Sequence, residues 1–265
     1  MEPVIRVLFL PGYRGLLVIR LKSASDIEHL RVSGGKLGEV LRQIGEMVSP
    51  GVTTRELDHA AEIRIRELGA KPAFLHYSGY PATLCVSINE QVIHGIPGHR
   101  VLNSGDVVSL DLGLIYEGYY ADSAITVACG PVAPRDKELI ETTRRSLYAG
   151  IDAVHVGARL GDIGHAVQQV AEAQGMSVVR DYVGHGVGKE LHEDPEVPNY
   201  GRAGTGITLK EGLVIAIEPM VNAGSSAVRV LNDDWTVVTV DGQKSAHFEH
   251  TIAVTAQGPV ILTQL

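Results

Sequence analysis

Apolar residues recur at helical spacing in the first clearly patterned part of the chain, from Ser25 to Pro50-Gly51. A repeat of three and four positions is typical of a helix with one buried face, and the Pro-Gly pair ends it. A second helix is predicted to begin at the capping box Thr53-x-x-Glu56 and to end at Gly69, because side-chain and backbone groups satisfy each other at such a box.

Strand patterns follow these two helices. Residues 83–95 have the pattern of a strand and a loop. Residues 107–113 and 119–127 are apolar and rich in β-branched side chains, and the turn signal Glu117-Gly118 separates them. This part of the chain therefore predicts a β-hairpin.

The second half of the chain repeats this order, with helices predicted around residues 139–147 and 163–175. A shift of 106 residues superposes the second helix of each half, and a shift of 107 superposes strand 107–111 on 214–218. The matched pairs are Gly51 and Gly157, Glu56 and Asp162, Leu57 and Ile163, His59 and His165, Ala60 and Ala166, and Gly69 and Gly175. Internal duplication explains an offset that drifts by only one residue.

The duplication predicts an α+β architecture of two pseudo-symmetric halves, about residues 18–130 and 131–265, that share one core in a single domain. The apolar stretch in residues 1–17 is interrupted by charges and a proline, and no cleavage site follows it, which does not match a signal peptide. We expect this segment to be an extension outside the domain. An ordered N-terminal strand is the alternative.

Composition narrows the classes of protein. The net charge of −8 argues against nucleic acid and anionic membrane as partners, because phosphate groups are bound by basic surfaces. Two cysteines, Cys85 and Cys129, exclude a disulfide framework and are typical of a reducing compartment. No apolar run is long enough to span a membrane. These features favour a cytoplasmic protein.

Four carboxylates stand in strand-like, mostly apolar surroundings. In the predicted hairpin Asp111 faces Ala124, which makes Asp111 and Asp122 diagonal neighbours on one face of the sheet. Glu218 lies in a hydrophobic strand, and the shift of 107 residues matches it to Asp111. Glu249 ends the second half as Asp122 ends the first. Carboxylates placed together in this way repel each other unless a cation or a proton lies between them.

Each carboxylate also has a purely structural interpretation. In that interpretation one aspartate of the hairpin points to solvent from an edge strand, and Glu218 forms a buried ion pair. Glu249 then belongs to a solvated strand face with His247 and Thr251, within a strand at residues 246–255.

Three histidines stand in glycine-rich or loop-like surroundings: His94, His185 and His192. The glycines beside His185 let the backbone approach a neighbouring group closely. The pair Gly188-Lys189 lacks the following Ser or Thr of a phosphate-binding loop, and Pro195 excludes a zinc-protease helix around His192. Taken singly, each histidine is more typical of a structural hydrogen-bonded residue.

Taken together, one histidine and four carboxylates come from strands of both halves: Asp111, Asp122, His185, Glu218 and Glu249. Such an oxygen-rich set has the capacity for two divalent ions and suits Mn, Co or Fe(II) better than a thiolate zinc site does. Two ions about 3.5–4 Å apart would activate one bridging water.

The ordered motifs SLDLG, YYADSA, YVGHGVGKELHEDP, AIEPMV and HFEHTI closely resemble those of type I methionine aminopeptidases, which are pita-bread metallohydrolases. The resemblance covers about residues 20–264. It implies a pita-bread fold with a central metal site. It also implies hydrolysis of the N-terminal methionine from nascent proteins and peptides whose second residue is small, by a hydroxide that bridges the metal ions.

The resemblance assigns the same five residues as ligands of two divalent ions per chain, with Co, Mn or Fe(II), and Zn as a further option. It implies that Asp122 and Glu249 bridge both ions and that Glu218 also acts as general base. His94 and His192 are implied to hydrogen-bond the scissile amide and its oxyanion.

The resemblance further implies a methionine pocket lined by three aromatic rings and a sulfur, from Tyr77, Tyr80, Trp235 and Cys85. These groups suit a thioether side chain. Phe74 and Leu191 depart from the most familiar pattern, in which a smaller Cys and a Phe can occur at these two positions. The shape of the pocket is therefore expected to differ.

Two other functions belong to the same fold. Proline-specific peptidases are one, but they carry a large additional N-terminal domain, whereas barely twenty residues precede the first predicted helix here. A non-catalytic binding protein is the other, but such relatives lose metal ligands that are all present in this sequence. The implied partners are nascent chains at the ribosome, and we expect a monomer without partners among nucleic acids or membranes.

Overall fold

The computed structural model describes residues 4–7 and 17–264 of the chain. The helices in these ranges are α1 (Ala24–Met47), α2 (Thr54–Glu67), α3 (Pro134–Asp152) and α4 (Leu160–Glu172). None of them is long and apolar enough to cross a lipid bilayer.

Strands make up most of the remaining regular structure. Those before α3 are β1 (Val4–Val7), β2 (Leu17–Arg20), β3 (Lys71–Pro72), β4 (Leu84–Ile88), β5 (Gln91–Ile93), β6 (Asp106–Tyr116) and β7 (Tyr119–Cys129). Those after α4 are β8 (Ser177–Val178), β9 (Gly184–Gly186), β10 (Glu193–Val197), β11 (Val214–Ile217), β12 (Met220–Asn222), β13 (Val228–Val230), β14 (Val237–Thr239), β15 (Ser245–His247), β16 (Glu249–Thr255) and β17 (Gly258–Ile261).

The predicted hairpin is present and has the predicted register. Strands β6 and β7 pair antiparallel around Glu117-Gly118, with Asp111 opposite Ala124 and Gly113 opposite Asp122. Both turn residues have positive φ angles, which is the backbone twist that a tight hairpin between right-twisted strands requires. The turn chemistry therefore determines which side chains share a face.

Both halves contribute to one nine-stranded sheet, whose main path runs β10-β9-β11-β16-β7-β6-β3, with β17 paired to β16 and β4 paired to β6. The halves meet where β16 of the second half pairs antiparallel with β7 of the first. One hydrophobic core of helix and sheet residues spans both halves. The expectation of an α+β protein with two halves around one core is confirmed.

The internal repeat extends to the details of helix capping. The backbone N–H of Thr53 donates to the carboxylate of Glu56, and the backbone N–H of Arg159 donates to the matched Asp162, each at 2.7 Å. Each of these cap residues also forms an isolated β-bridge, Thr53 with Val101 and Arg159 with Thr208. The two bridges are related by the shift of 106 to 107 residues that the sequence shows.

The predicted strand at residues 246–255 is wrong in one respect, because the structure divides it at Phe248. His247 ends β15, which pairs with β12, whereas Glu249 begins β16, which pairs with β11 and β7. The chain therefore changes sheets between these two residues, and His247 and Glu249 do not share a strand.

The beginning of the chain is only partly described. The backbone of Val4–Val7 pairs antiparallel with Leu17–Arg20, so a strand is present within the segment expected to be an extension. Residues 1–3 and 8–16 lie outside the described residues. The expected domain boundary after residue 17 stays a prediction.

Helix α1 lies against the end of the chain through its glycines. A Cβ at Gly34 would overlap the backbone carbonyl of Leu262, whereas a Cβ at Gly35 would meet nothing within 4 Å. Gly34 is buried and Gly35 is exposed. Two neighbouring glycines of one helix therefore differ in what a methyl group would contact.

We expect Gly34→Ala to lower the free energy of unfolding by about 1–3 kcal/mol, the usual cost of overpacking. The matched control Gly35→Ala is expected to raise it by about 0.5–1 kcal/mol, because alanine is the better helix former. Chemical denaturation of both variants measures the difference. Equal effects from the two substitutions would contradict the proposed packing of α1.

Candidate metal centre and pocket

A row of directly opposed residues crosses the large sheet. Cys85 of β4 lies opposite Asp111 of β6, Asp111 opposite Ala124 of β7, and Ala124 opposite Glu249 of β16. Directly opposed residues point to the same face of a sheet, and Asp122, two residues from Ala124, shares that face. The strand pairing alone therefore brings together carboxylates from both halves.

This face is the one turned away from α1. Leu110 and Leu112, the neighbours of Asp111, belong to the core cluster that contains Leu37 and Leu41 of α1. Side chains alternate along a strand, so Asp111 points to the opposite side. The helices thus cover the apolar face and leave the carboxylate face for a cavity.

Glu218 and His185 complete the cluster. Glu218 directly follows β11, whose last residue Ile217 lies opposite His250, and Pro219 ends the regular pairing there. His185 Nε2 lies 3.5 Å from Glu218 Oε1 and 3.7 Å from Asp122 Oδ2. The five residues predicted from the sequence as metal ligands therefore converge on one place.

The glycines beside His185 have a structural reason. A Cβ at Gly184 would overlap the backbone carbonyl of Ala216 in β11, and one at Gly186 would overlap the carbonyl of Asp194 in β10. The close neighbour expected from the sequence is therefore the adjacent strand on each side. The His185 Nδ1–H donates to the carbonyl of Gly186 at 2.9 Å, which leaves Nε2 free to face the carboxylates.

The cluster contains buried oxygen atoms without a hydrogen-bond partner in the described residues: Asp111 Oδ1, Asp122 Oδ1 and Glu249 Oε1. Buried polar atoms are almost always paired, so three unpartnered carboxylate oxygens that face one space fit a site for a cation. One oxygen each of Asp122 and Glu249 and one nitrogen of His185 lie within 4.8 Å of one another. Hard oxygen ligands and one imidazole fit a divalent ion.

Burial and mutual repulsion perturb these carboxyl groups. Burial raises the pKa of Asp111 to about 7. Burial, followed by the charges of neighbouring carboxylates, raises the pKa values of Asp122, Glu218 and Glu249 well above their usual range. Burial lowers the pKa of His185 to about 3, so its imidazole is neutral and able to bind a metal near neutral pH.

A cavity of about 240 Å³ opens onto the carboxylate cluster. Its lining includes all of the residues predicted for the methionine pocket, together with both residues that depart from the familiar pattern: Phe74, Tyr77, Tyr80, Cys85, Leu191 and Trp235. Tyr80 and Trp235 meet edge to face at 5.1 Å, and the Tyr80 hydroxyl donates to the carbonyls of Leu84 and Gly95. The cavity wall is therefore apolar and fixed in position.

His94 and His192 lie at the edge of the same cavity. His94 adopts a positive φ of 58°, an uncommon conformation for a residue with a Cβ and one that recurs at functional sites. Burial lowers the pKa of His94 to about 4, so it is neutral near pH 7. His192 is exposed, and its Nδ1 forms a 2.8 Å hydrogen bond with the hydroxyl of Tyr77.

Tyr182 and His247 belong to the site but were not identified as functional from the sequence. Tyr182 lines the cavity and meets His94 edge to face at 5.9 Å. His247 is buried with both ring nitrogens unpartnered in the described residues, and its Nε2 lies 3.9 Å from Glu218 Oε2. Tyr182 begins the glycine-rich motif around His185, and His247 begins the HFEHTI motif. Both residues therefore lie within motifs that the sequence analysis used to predict the site.

The chain matches the family model for metallopeptidase family M24 over residues 28–256. It is 49% identical over 247 residues to a methionine aminopeptidase of Clostridium acetobutylicum, across 93% of this chain and 99% of that protein. It superposes on the crystal structure of methionine aminopeptidase from Thermotoga maritima with a TM-score of 0.92 at 46% identity, covering 93% of this chain and 100% of the other.

More distant structures share the fold alone. The prolidase from Pyrococcus horikoshii has a TM-score of 0.75 at 23% identity, covering 92% of this chain and 63% of the prolidase. Together, these similarities confirm the expected pita-bread fold.

The raised pKa of Asp111 predicts a pH effect in metal-free protein. The folded state binds this proton more tightly than the unfolded chain does. The free energy of unfolding therefore falls as the pH rises from the ordinary pKa of 3.8 towards about 7.

The wild type and Asp111→Asn are denatured across this pH range with chelator present. Both proteins contain the buried histidines, so the difference between them isolates the contribution of Asp111 to the free energy of unfolding. We expect the stability of the wild type to fall relative to the variant as the pH rises. A difference that stays constant with pH would contradict the burial of this carboxyl group.

Proposed function

The chain belongs to metallopeptidase family M24, and we propose that it is an aminopeptidase that removes N-terminal methionine from peptides and nascent proteins whose second residue is small. The single observation that carries the proposal is the apolar cavity that ends at the cluster of buried carboxylates. Relatives of this chain at 44–50% identity are methionine aminopeptidases. This similarity supports an N-terminal methionine as the substrate.

The cavity wall supports methionine as the first residue. One unbranched, apolar side chain can pack against the wall that Tyr80, Trp235 and Cys85 form together, since thioethers make favourable contacts with aromatic rings. Burial, followed by the charge of Asp111, raises the pKa of the Cys85 thiol, which keeps this part of the wall uncharged. A charged side chain would lose its water here without gaining a partner.

We propose that five residues would hold two divalent ions: Asp111, Asp122, His185, Glu218 and Glu249. Mn, Co and Fe(II) suit this ligand set best, and Zn remains a further option. Bound ions would supply Lewis-acid activation of water and of the scissile carbonyl.

The remaining chemistry falls to side chains of the protein. Glu218 accepts the proton of the attacking water and returns it to the leaving amine. His94 and His192, at the edge of the cavity, hydrogen-bond the scissile amide and the oxyanion that forms on it. The neutral state of His94 near pH 7 lets it serve as a hydrogen-bond donor without adding a positive charge beside the metal site.

The same proposal assigns the biological setting. Substrates are the N-termini of nascent chains at the ribosome, in the cytoplasm, and the enzyme acts as a monomer. An acidic net charge of −8 supports the absence of a nucleic-acid or membrane partner.

A peptide panel that varies the first two residues tests the proposal. Met-Gly, Met-Ala and Met-Ser peptides are expected to release methionine, whereas Met-Leu and Met-Arg peptides are expected to be poor substrates. Activity should disappear on treatment with chelator and return on addition of Mn or Co. Mass spectrometry of the products measures each release.

Glu218→Gln is the matched inactive control, because the amide keeps the size of the side chain but cannot accept a proton. Faster cleavage of Xaa-Pro peptides without methionine than of Met-Ala peptides would instead assign a proline-specific peptidase. Full activity in rigorously metal-free protein would overturn the assigned chemistry.

A further inference from the structure

A buried ion pair lies next to the site but outside the residues assigned above. Lys22 Nζ donates to Glu193 Oε2 at 2.5 Å, and the two side chains are only 9% and 4% exposed. Exposed ion pairs contribute little to stability, but a pair removed from water cannot lose one partner without leaving the other charge buried. The conformation around this pair is therefore strongly constrained.

Glu193 uses its second oxygen to close the loop that precedes β10. Its Oε1 accepts the backbone N–H of Lys189 at 2.9 Å and that of Glu190 at 3.4 Å. A Cβ at Gly188 would overlap both the Glu193 carboxylate and Lys22 Cε, which explains the glycine at the start of the loop. The Glu193 carboxylate thus contacts the backbone of the loop with one oxygen and Lys22 with the other.

Lys22 is itself fixed to the sheet. Its backbone N–H donates to the carbonyl of Gly212 at 2.7 Å, just before β11, and its Nζ also donates to the carbonyl of Arg20 at 3.0 Å. A Cβ at Gly212 would overlap the Lys22 carbonyl, so the two segments are in close backbone contact. The segment between β2 and α1 therefore provides a rigid support.

The loop from Gly188 to Glu193 contains two residues of the cavity wall, Leu191 and His192. His192 directly precedes Glu193 and is exposed, and its ring contacts that of the buried His185, with 4.2 Å between the ring centroids. The Tyr77 hydroxyl contacts its Nδ1, but Tyr77 is exposed as well. The buried pair beside His192 is the stronger constraint on its backbone.

We propose that Lys22 and Glu193 are positioning residues for catalysis, which hold the backbone of His192 so that its ring meets the scissile amide. The inference rests on the proposed function, because it assumes that His192 acts in the transition state. A displacement of about 1 Å at such a group can cost about a hundredfold in rate. Neither residue contacts the substrate in this proposal.

A double-mutant cycle separates positioning from a general effect on the fold. We expect Lys22→Met to lower kcat about ten- to a hundredfold with little change in KM, because the affected hydrogen bond forms mainly in the transition state. His192→Ala is expected to lower kcat about a hundredfold or more. The double variant should be no slower than His192→Ala alone, since both changes remove the same contribution.

The cycle is repeated with Glu193→Gln, which keeps the volume of the side chain and serves if Lys22→Met fails to fold. Glu190→Gln is the matched control: it removes an exposed carboxylate from the same loop and should retain the kcat of the wild type. Metal content, measured by mass spectrometry, should be equal in all variants.

Three results would overturn the proposal. They are a wild-type kcat in both Lys22→Met and Glu193→Gln, a double variant slowed by the product of the single effects, and failure of both single variants to fold. A wild-type kcat in His192→Ala would contradict the proposed role of His192 itself, which distinguishes that failure from failure of the ion pair.

Discussion

Repulsion among the carboxylates of one buried cluster is the constraint on which the rest of this structure depends. Asp111, Asp122, Glu218 and Glu249 face the same space. Within the described residues their basic neighbours are the histidines His185 and His247, and no lysine or arginine is paired with them. Such an arrangement is costly unless protons or cations compensate it. Burial and mutual repulsion express that cost as raised pKa values of these groups.

The two-fold arrangement of the halves brings these carboxylates together. Each half supplies carboxylates from a strand that is otherwise apolar, and the pairing of β7 with β16 sets Ala124 opposite Glu249. A slip of one residue in this pairing would turn Glu249 to the apolar face. The join between the halves is therefore as important for the site as any single ligand.

Local signals made much of this architecture predictable. The Glu117-Gly118 turn fixed the register of the hairpin and hence the shared face of Asp111 and Asp122. Predictions failed where distant segments decide the outcome. The predicted strand is divided at Phe248 because its two parts pair with different strands. His247 pairs with β12, whereas the residues from Glu249 onward pair with β11 and β7. The buried pair of Lys22 and Glu193 joins segments far apart in the chain, and no local pattern indicates it.

The central claim is that the carboxylate cluster is a site for divalent cations. Calorimetric titration of metal-free protein with Mn²⁺ tests this claim most directly. The wild type is expected to bind Mn²⁺, Asp122→Asn to lose most of that affinity, and the exposed control Asp152→Asn to bind as the wild type does. Equal binding by Asp122→Asn and the wild type, or no binding by the wild type, would contradict the account.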